Sequence, residues 1–496
     1  MHSLEPVPLA AGAGEDRAAL SGHPRKANAG QYAGVMLPCR SVRNRDANGQ
    51  TEFIMPPHSG CSCGALADSQ VESLSHHVCQ PYTFGMLWQP ALPDSYLHMS
   101  DADLAAGIRA RKRELGNRVL ILGHHYQQDD VVQHADLTGD SLKLSQMAAE
   151  EAERRGSEWI VFCGVHFMAE TADVLTSEHV KVVLPDLSAG CSMADMAHYD
   201  EAVDAWEAIE RATKGSQARV VPITYVNSSA AIKAFVGSKG GACCTSSNAS
   251  QVFDWALAGG DTPLAKGEEV KILFLPDQHL GRNTAKRKGF VTEFDASPGA
   301  PAQTALWNPK KDQGGLTDAE IRAARVLLWA GHCSVHKMFR PEHVDQVRAE
   351  FADRGGITVM VHPECSQDVV DAADISGSTE HIIQTIERAQ PGSCWAIGTE
   401  IHLVNRIAQA AAKRDVFVRI LSDCQCLCTT MYRIDQQHLL WVLDGIAEGR
   451  SPNVVQVHPE ARALARVALQ RMLRHSGAAQ TGAVPTRTDG SAALVD

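Results

Sequence analysis

Long apolar runs are missing from this chain: no uninterrupted stretch approaches the ~18 residues of a membrane-spanning helix, which excludes an integral helical membrane protein. Positive charge is also scarce, because 46 Lys and Arg face 58 Asp and Glu for a formal net charge of −12. That balance excludes the broad electrostatic footprint of a nucleic-acid binder, while leaving room for a small dipolar site that takes anionic metabolites. Cysteine stands at 14 in 496 residues, well short of the ~8–10% of a short disulfide scaffold. Met1 to Asp16 carries Glu5, Glu15 and Asp16 and lacks the basic start and apolar core of a secretory signal. The expectation is a cytoplasmic, reducing setting, where cysteine serves metal binding or catalysis more often than disulfides.

What is present divides unevenly. Residues 1–95 mix Gly, Ala, Ser and Pro with scattered charge and show no sustained periodicity, so a flexible extension is expected. Its Cys61, Cys63 and the segment His76 to Cys79 fit no strong zinc spacing. From residue 96 onward, short apolar runs such as RVLILGHHY, EWIVFCGV, RVVPITYVN, KILFLPD and ITVMVHPE alternate with amphipathic stretches. Runs of that kind predict parallel sheets covered on both faces, an α/β fold, with ligands beyond the C-terminal ends of the strands. At roughly 150 residues per domain the chain has length for about three. The reading is three α/β units over 96–205, 206–345 and 346–455, then a C-terminal helix and a disordered tail over 456–496.

Strand ends taken in order suggest that the three units repeat one plan. Opening strands end at His124-His125-Tyr126, Tyr225-Val226-Asn227 and His362-Pro363-Glu364. A second strand or turn ends at Cys163-Gly164, Cys244-Thr245-Ser246 and Gly377-Ser378-Thr379, and a third at Leu184-Pro185-Asp186, Leu275-Pro276-Asp277 and Gly398-Thr399-Glu400. Each round is followed by a cysteine: Cys191, Cys333 and Cys428. One thiolate per unit predicts a pseudo-three-fold site at their junction. A polar insertion near Gly289 to Gly315 lengthens the second unit.

Three thiolates suit zinc with a water or an iron–sulfur cluster with one open iron, and spacing alone leaves both assignments standing. Cys424, Cys426 and Cys428 alternate, so an extended segment would turn all three to one face; Cys428 is favoured because a capped helix with Leu439, Leu440 and Val442 in its apolar stripe follows it. Ser141, Ser246 and Thr379 each stand where a loop becomes a helix, where hydroxyls and free N–H groups hold phosphate or carboxylate, although each could equally be a plain N-cap. His124, Tyr126, Tyr225, His362 and Glu364 are acid–base candidates. His125 should face away from His124, and Asp277, His279 and Arg282 are expected as supporting groups.

As an ordered set, GHHYQ, ADLTGDSL, CGVHFMAETA, LPDLSAGCSM, TYVNSSAAIKA, CTSSNA, LPDQHLGRN, VHPEC, GSTE, GTEIHLVNRI and CTTM resemble the quinolinate synthase family over about residues 100–455. The resemblance implies an enzyme of NAD biosynthesis. It would condense iminoaspartate with dihydroxyacetone phosphate on three related α/β domains around a central [4Fe–4S] cluster, with possible functional coupling to an L-aspartate oxidase. Matched motif by motif, it implies Cys191, Cys333 and Cys428 as cluster ligands. His124, Tyr126, Ser141, Tyr225, Val226, Asn227, Ser246, His362, Glu364 and Thr379 would line the substrate cavity, with Tyr126, Tyr225, His362 and Glu364 assisting proton transfers. The chain departs from the family at His125, at the extra Cys424 and Cys426, and in its N-terminal extension.

Overall fold

The computed structural model of the chain describes residues 89–423 and 426–476. The extension with Cys61, Cys63 and His76 to Cys79, the cysteine at 424 and the tail beyond 476 lie outside the described residues. Packing is already in place at Gln89, whose side-chain oxygen accepts from the Leu187 N–H at 2.8 Å and from Asn453 Nδ2 at 2.9 Å.

The expected apolar runs form the centres of three sheets. The first contains Val119–His124 (β1), Leu137–Gly139 (β2), Trp159–Cys163 (β3) and Lys181–Val183 (β4), parallel in the order β2-β1-β3-β4. The second contains Ala218–Tyr225 (β5), Ala242–Cys244 (β6), Glu269–Leu275 (β7), Thr304–Trp307 (β8) and Val326–Trp329 (β9), ordered β6-β5-β7-β9-β8. The third contains Thr358–Val361 (β10), Ile375–Ser376 (β11), Cys394–Gly398 (β12) and Phe417–Ile420 (β13), ordered β11-β10-β12-β13. β1 and β3 are buried at every position, as strands with helices on both faces must be. Every sheet therefore has the same kernel, with the opening strand flanked by the second on one side and by the third and fourth on the other.

That kernel corrects the strand-end alignment of the first unit. Its second strand is the short β2, so Cys163-Gly164 ends the third strand, and Leu184-Pro185-Asp186 follows the fourth. The tripeptide Leu-Pro-Asp thus occurs after different strands in units one and two, which made the two positions look equivalent. β2 was missed because three residues carry no periodicity. The insertion after Gly289 is not all loop, since it supplies β8 at the far edge of the second sheet.

Unit boundaries drawn at 205/206 and 345/346 fall inside the helices Tyr199–Thr213 and Pro341–Phe351, which lead into β5 and β10. The chain after β13 also leaves the third sheet. Gln436–Ala447, capped by Asp435 and burying Leu439, Leu440 and Val442 as expected, packs on Asp101–Leu115, where Arg111 Nε donates to Asp444 Oδ1 at 2.6 Å. Val454–Val455 (β14) then pairs antiparallel with β4. Finally Pro459–Arg474 lies against Ala230–Ser238, so close that a Cβ on Gly237 would sit 2.1 Å from the Leu464 carbonyl oxygen. Glycine is what permits that approach. Among the described residues no helix is long and apolar enough to cross a membrane.

Candidate active site

Opening strands deliver the acid–base groups. His124 ends β1 and His362 follows β10, and each accepts at Nδ1 from the backbone N–H two residues on: Tyr126 N at 3.1 Å and Glu364 N at 3.3 Å. An imidazole that accepts at Nδ1 carries its proton on Nε2. Burial pushes both pKa values down to about 3, so both rings are neutral donors. His362 gives its proton to Ser246 Oγ at 3.1 Å. Tyr225 closes β5 in the corresponding place.

Second strands deliver the hydroxyls. Parallel register sets Gly139 beside His124, Cys244 beside Tyr225 and Ser376 beside Val361, so Ser141, Ser246 and Thr379 follow at the same end of their sheets. None is itself the cap. Asp140 caps the Ser141 helix, Ser378 caps the Thr379 helix, and Asn248 Oδ1 ties the turn before Ala249–Leu257 by accepting from the Thr245 N–H at 2.7 Å. The three hydroxyls therefore remain on the cavity side of helix starts, a position suited to anions.

Third and fourth strands together deliver the cysteines, by one device used three times. The first N–H of the helix after the third strand donates to the carbonyl two residues before the cysteine: His166 N to Ala189 O at 2.9 Å, Gln278 N to Gly331 O at 3.0 Å, Ile401 N to Cys426 O at 3.1 Å. Cys191, Cys333 and Cys428 thereby line one cavity. Burial pushes the Cys191 thiol up to about 12 and raises the other two, and each feels a neighbouring site carboxylate or thiol as a further charge. As bare thiolates they are disfavoured; a cation among them reverses that. Cys426 is instead buried in an apolar cluster with Val361, Cys365 and Leu421, and unlike Cys428 it is not part of the cavity lining.

Glu364 is the hub of the cavity. Tyr225 Oη donates to its Oε1 at 2.5 Å, and His336 Nδ1 donates to its Oε2 at 2.9 Å. His336 Nε2 meets Thr399 Oγ1 at 3.2 Å, which meets Tyr126 Oη at 3.0 Å, and Tyr126 also reaches Thr379 Oγ1 at 3.2 Å. A continuous chain of hydrogen bonds thus joins the two phenols. Burial alone would raise the Glu364 pKa, but His336 and the hydrogen bond from the Tyr225 hydroxyl outweigh it and hold the carboxyl below its ordinary range. Burial, with the Glu364 charge adding, keeps both tyrosines well above theirs and so protonated.

The cavity has a volume of about 70 Å³. Its lining brings together His124, Tyr126, Ser141, Tyr225, Asn227 and Ser246 with His362, Glu364, Thr379 and the three cysteines. Asn227 Oδ1 is buried there without a partner, an acceptor available to a ligand. Val226 is the exception: it packs in the core, its N–H bonded to Cys244 O at 2.8 Å, and does not line the cavity. His125 is not among the residues that line the cavity. Of the supporting groups, Asp277 lies behind Cys333, Arg282 pairs with Glu293 at 2.6 Å and His279 is outside the lining. Sequence reading missed His336 and Thr399, which meet Glu364 and Tyr126 only in space, and the apolar wall of Phe167, Met168, Met193 and Met431. Cys333, His336 and Glu364 also form a compact group, with ligand atoms within 4.8 Å of one another, that could hold one metal ion.

Residues 106–474 match the family described as Quinolinate synthetase A protein. A protein named quinolinate synthase from Streptomyces coelicolor is 50% identical over 374 residues, covering 75% of this chain and 89% of its own. One of the same name from Acidobacterium capsulatum is 50% identical over 384 residues, covering 77% and 96%. Another, from Halalkalibacterium halodurans, is 48% identical over 382 residues, covering 77% and 96%.

Proposed function

The chain belongs to the quinolinate synthase family, and from that premise we propose that it condenses iminoaspartate with dihydroxyacetone phosphate, yielding quinolinate, phosphate and two waters in NAD biosynthesis. The observation that carries the reading is the cavity itself: one thiol from each of three units, lining one space with neutral donors and the ionised carboxylate of Glu364. Its donors complement the carboxylates and phosphate of those substrates without any basic patch.

Cys191, Cys333 and Cys428 would hold three irons of a [4Fe–4S] cluster. Three soft, desolvated donors fit such a group and leave its fourth iron for substrate. When bound, the cluster supplies Lewis acidity toward substrate oxygens. The protein's own groups do the rest. Ser141, Ser246 and Thr379 bind phosphate or carboxylate oxygens, and His124 Nε2–H donates to a carboxylate. Asn227 Oδ1 accepts from the substrate nitrogen. Glu364 takes a proton from substrate carbon and Tyr225 shares it, while Tyr126 donates to a developing oxyanion from the other end of the same hydrogen-bond chain. The wall of Phe167, Met168, Met193 and Met431 keeps bulk water from the reactive enamine.

We place the enzyme in the cytoplasm, its iminoaspartate supplied by an L-aspartate oxidase, with no nucleic-acid or membrane partner. The test is anaerobic purification with iron, sulfide and zinc counted alongside quinolinate formation. About four irons and four sulfides per chain with turnover support the reading. Stoichiometric zinc, held by the Cys333, His336 and Glu364 group, would overturn the cofactor assignment.

A further inference from the structure

We infer that Arg406 is a positioning residue that sets Tyr126 in the cavity by holding the backbone on either side of it, a role that rests on Tyr126 taking part in the reaction proposed above. Tyr126 lies in the turn between β1 and the short helix Asp129–Val132, where residues 125–128 belong to no strand and no helix. Its phenol is held by unit three, through Thr379 Oγ1 at 3.2 Å and Thr399 Oγ1 at 3.0 Å. Arg406 stands in the second turn of Ile401–Ala412, the helix that follows Thr399, and holds the backbone of the same unit-one turn. Its Nη1 donates to Gln127 O at 2.7 Å and to Asp129 Oδ1 at 2.7 Å, and its Nη2 donates to His125 O.

The two carbonyls bracket Tyr126. A guanidinium reaches both because its terminal nitrogens stand in one rigid plane, whereas an ammonium has a single donor atom. The plain alternative is a surface ion pair with Asp129, whose side chain is 55% exposed, and such pairs contribute little. That pair accounts for one of the three hydrogen bonds and for neither carbonyl. Other ties fix the flanks of the turn: Tyr126 N donates to His124 Nδ1 at 3.1 Å, and Gln128 Nε2 donates to Ile434 O at 2.8 Å.

One segment of unit three, Thr399 to Arg406, therefore grips a tyrosine of unit one at its hydroxyl and at its backbone. Position matters at Tyr126 because its hydroxyl closes the hydrogen-bond chain that runs through Thr399 and His336 to Glu364. A misplacement of about 1 Å in such a group costs up to about a hundredfold in rate.

The test uses the full chain and two readings. In the first, quinolinate formation is followed anaerobically for Arg406→Ala, Tyr126→Phe and the double variant. Arg406→Ala should lower kcat roughly ten- to hundredfold. In the Tyr126→Phe background the same change should cost less than about threefold, since the hydroxyl it acts through is already gone. Asp129→Asn, which removes only the ion pair, should stay within about twofold of wild type. Additive losses overturn the inference, as does a loss in Asp129→Asn equal to that in Arg406→Ala. In the second reading, fluorotyrosine replaces tyrosine and fluorine NMR follows the Tyr126 signal, identified by its absence in Tyr126→Phe. Arg406→Ala should shift or broaden that signal and leave the signal of the exposed Tyr199 in place; an unmoved Tyr126 signal overturns the inference. If Arg406→Ala does not fold, Arg406→Lys carries both readings, because it keeps the charge but has one donor atom for two carbonyls. Should the wild type make no quinolinate while the Tyr126 signal still depends on Arg406, it is the functional reading that fails and the positioning that stands.

Discussion

Glu364→Gln isolates the hub of the cavity while preserving its shape. The wild-type carboxylate accepts from Tyr225 Oη at 2.5 Å and from His336 Nδ1 at 2.9 Å. Hydrogen bonds to a charged group contribute about 1.5–3 kcal/mol each, against about 1 kcal/mol for a neutral pair. Glutamine retains one acceptor oxygen, so one contact survives as a neutral bond and the other sets an NH2 group against a donor. The network should lose about 2–4 kcal/mol, and removal of a general base costs about 10²–10⁴ in rate, or roughly 3–5 kcal/mol of barrier. Loss of the charge also lowers the pKa of Tyr126 and Tyr225, which Glu364 now holds up. The assay is anaerobic steady-state quinolinate formation, with iron and sulfide counted in the same sample. The expected outcome is full iron content and kcat reduced 10²–10⁴-fold. A rate within threefold of wild type refutes the proton-transfer role; iron lost in proportion to rate would make Glu364 a metal ligand instead.

The remaining predictions concern the thiols, one glycine and pH. Cys333→Ala should abolish iron binding and turnover, whereas Cys426→Ala should keep both, because Cys426 is buried in an apolar cluster and is not part of the cavity lining; metal analysis of the pair decides which thiols face inward. Gly331→Ala should strip iron while leaving most of the fold, since a Cβ there would sit 2.3 Å from the Pro276 carbonyl oxygen and push the Cys333 loop off its anchor; iron content beside the thermal midpoint reads it. His124, held down to about 3, stays uncharged in the folded chain while the unfolded chain takes up its proton near the ordinary value. Stability should therefore fall with pH. Relative to His124→Gln, the wild type should lose about 1.4 kcal/mol more between about pH 7.5 and 5.5, measured by chemical denaturation.

Much of the fold was legible because long, continuously apolar strands announce themselves. β1, β3, β5, β7, β10 and β12 all coincide with or overlap runs read from the sequence. β2, β8, β11 and β14 did not, because they stand at sheet edges, where pairing to one neighbour defines them and no apolar run marks them. Overlooking β2 displaced one strand position in the first unit, even though the cysteines that close the units were identified. His336 was overlooked for a related reason: its tie to Glu364 spans 28 residues and leaves no spacing signature.

Sequence by itself determined the class of fold, the three cysteines and the polar residues at the strand ends, since chemistry at those positions demands particular residue types. Only the tertiary structure decided which groups face one another. It set Cys428 in the cavity and Cys426 in the core, removed Val226 from the lining, and linked Tyr225 to Tyr126 through Glu364, His336 and Thr399. It also showed one backbone hydrogen bond, from a helix start to the residue two before each cysteine, repeated in all three units. Side-chain direction and hydrogen-bond partnership arise where sheets, helices and loops from distant parts of the chain meet, and that information exists only once the chain has folded.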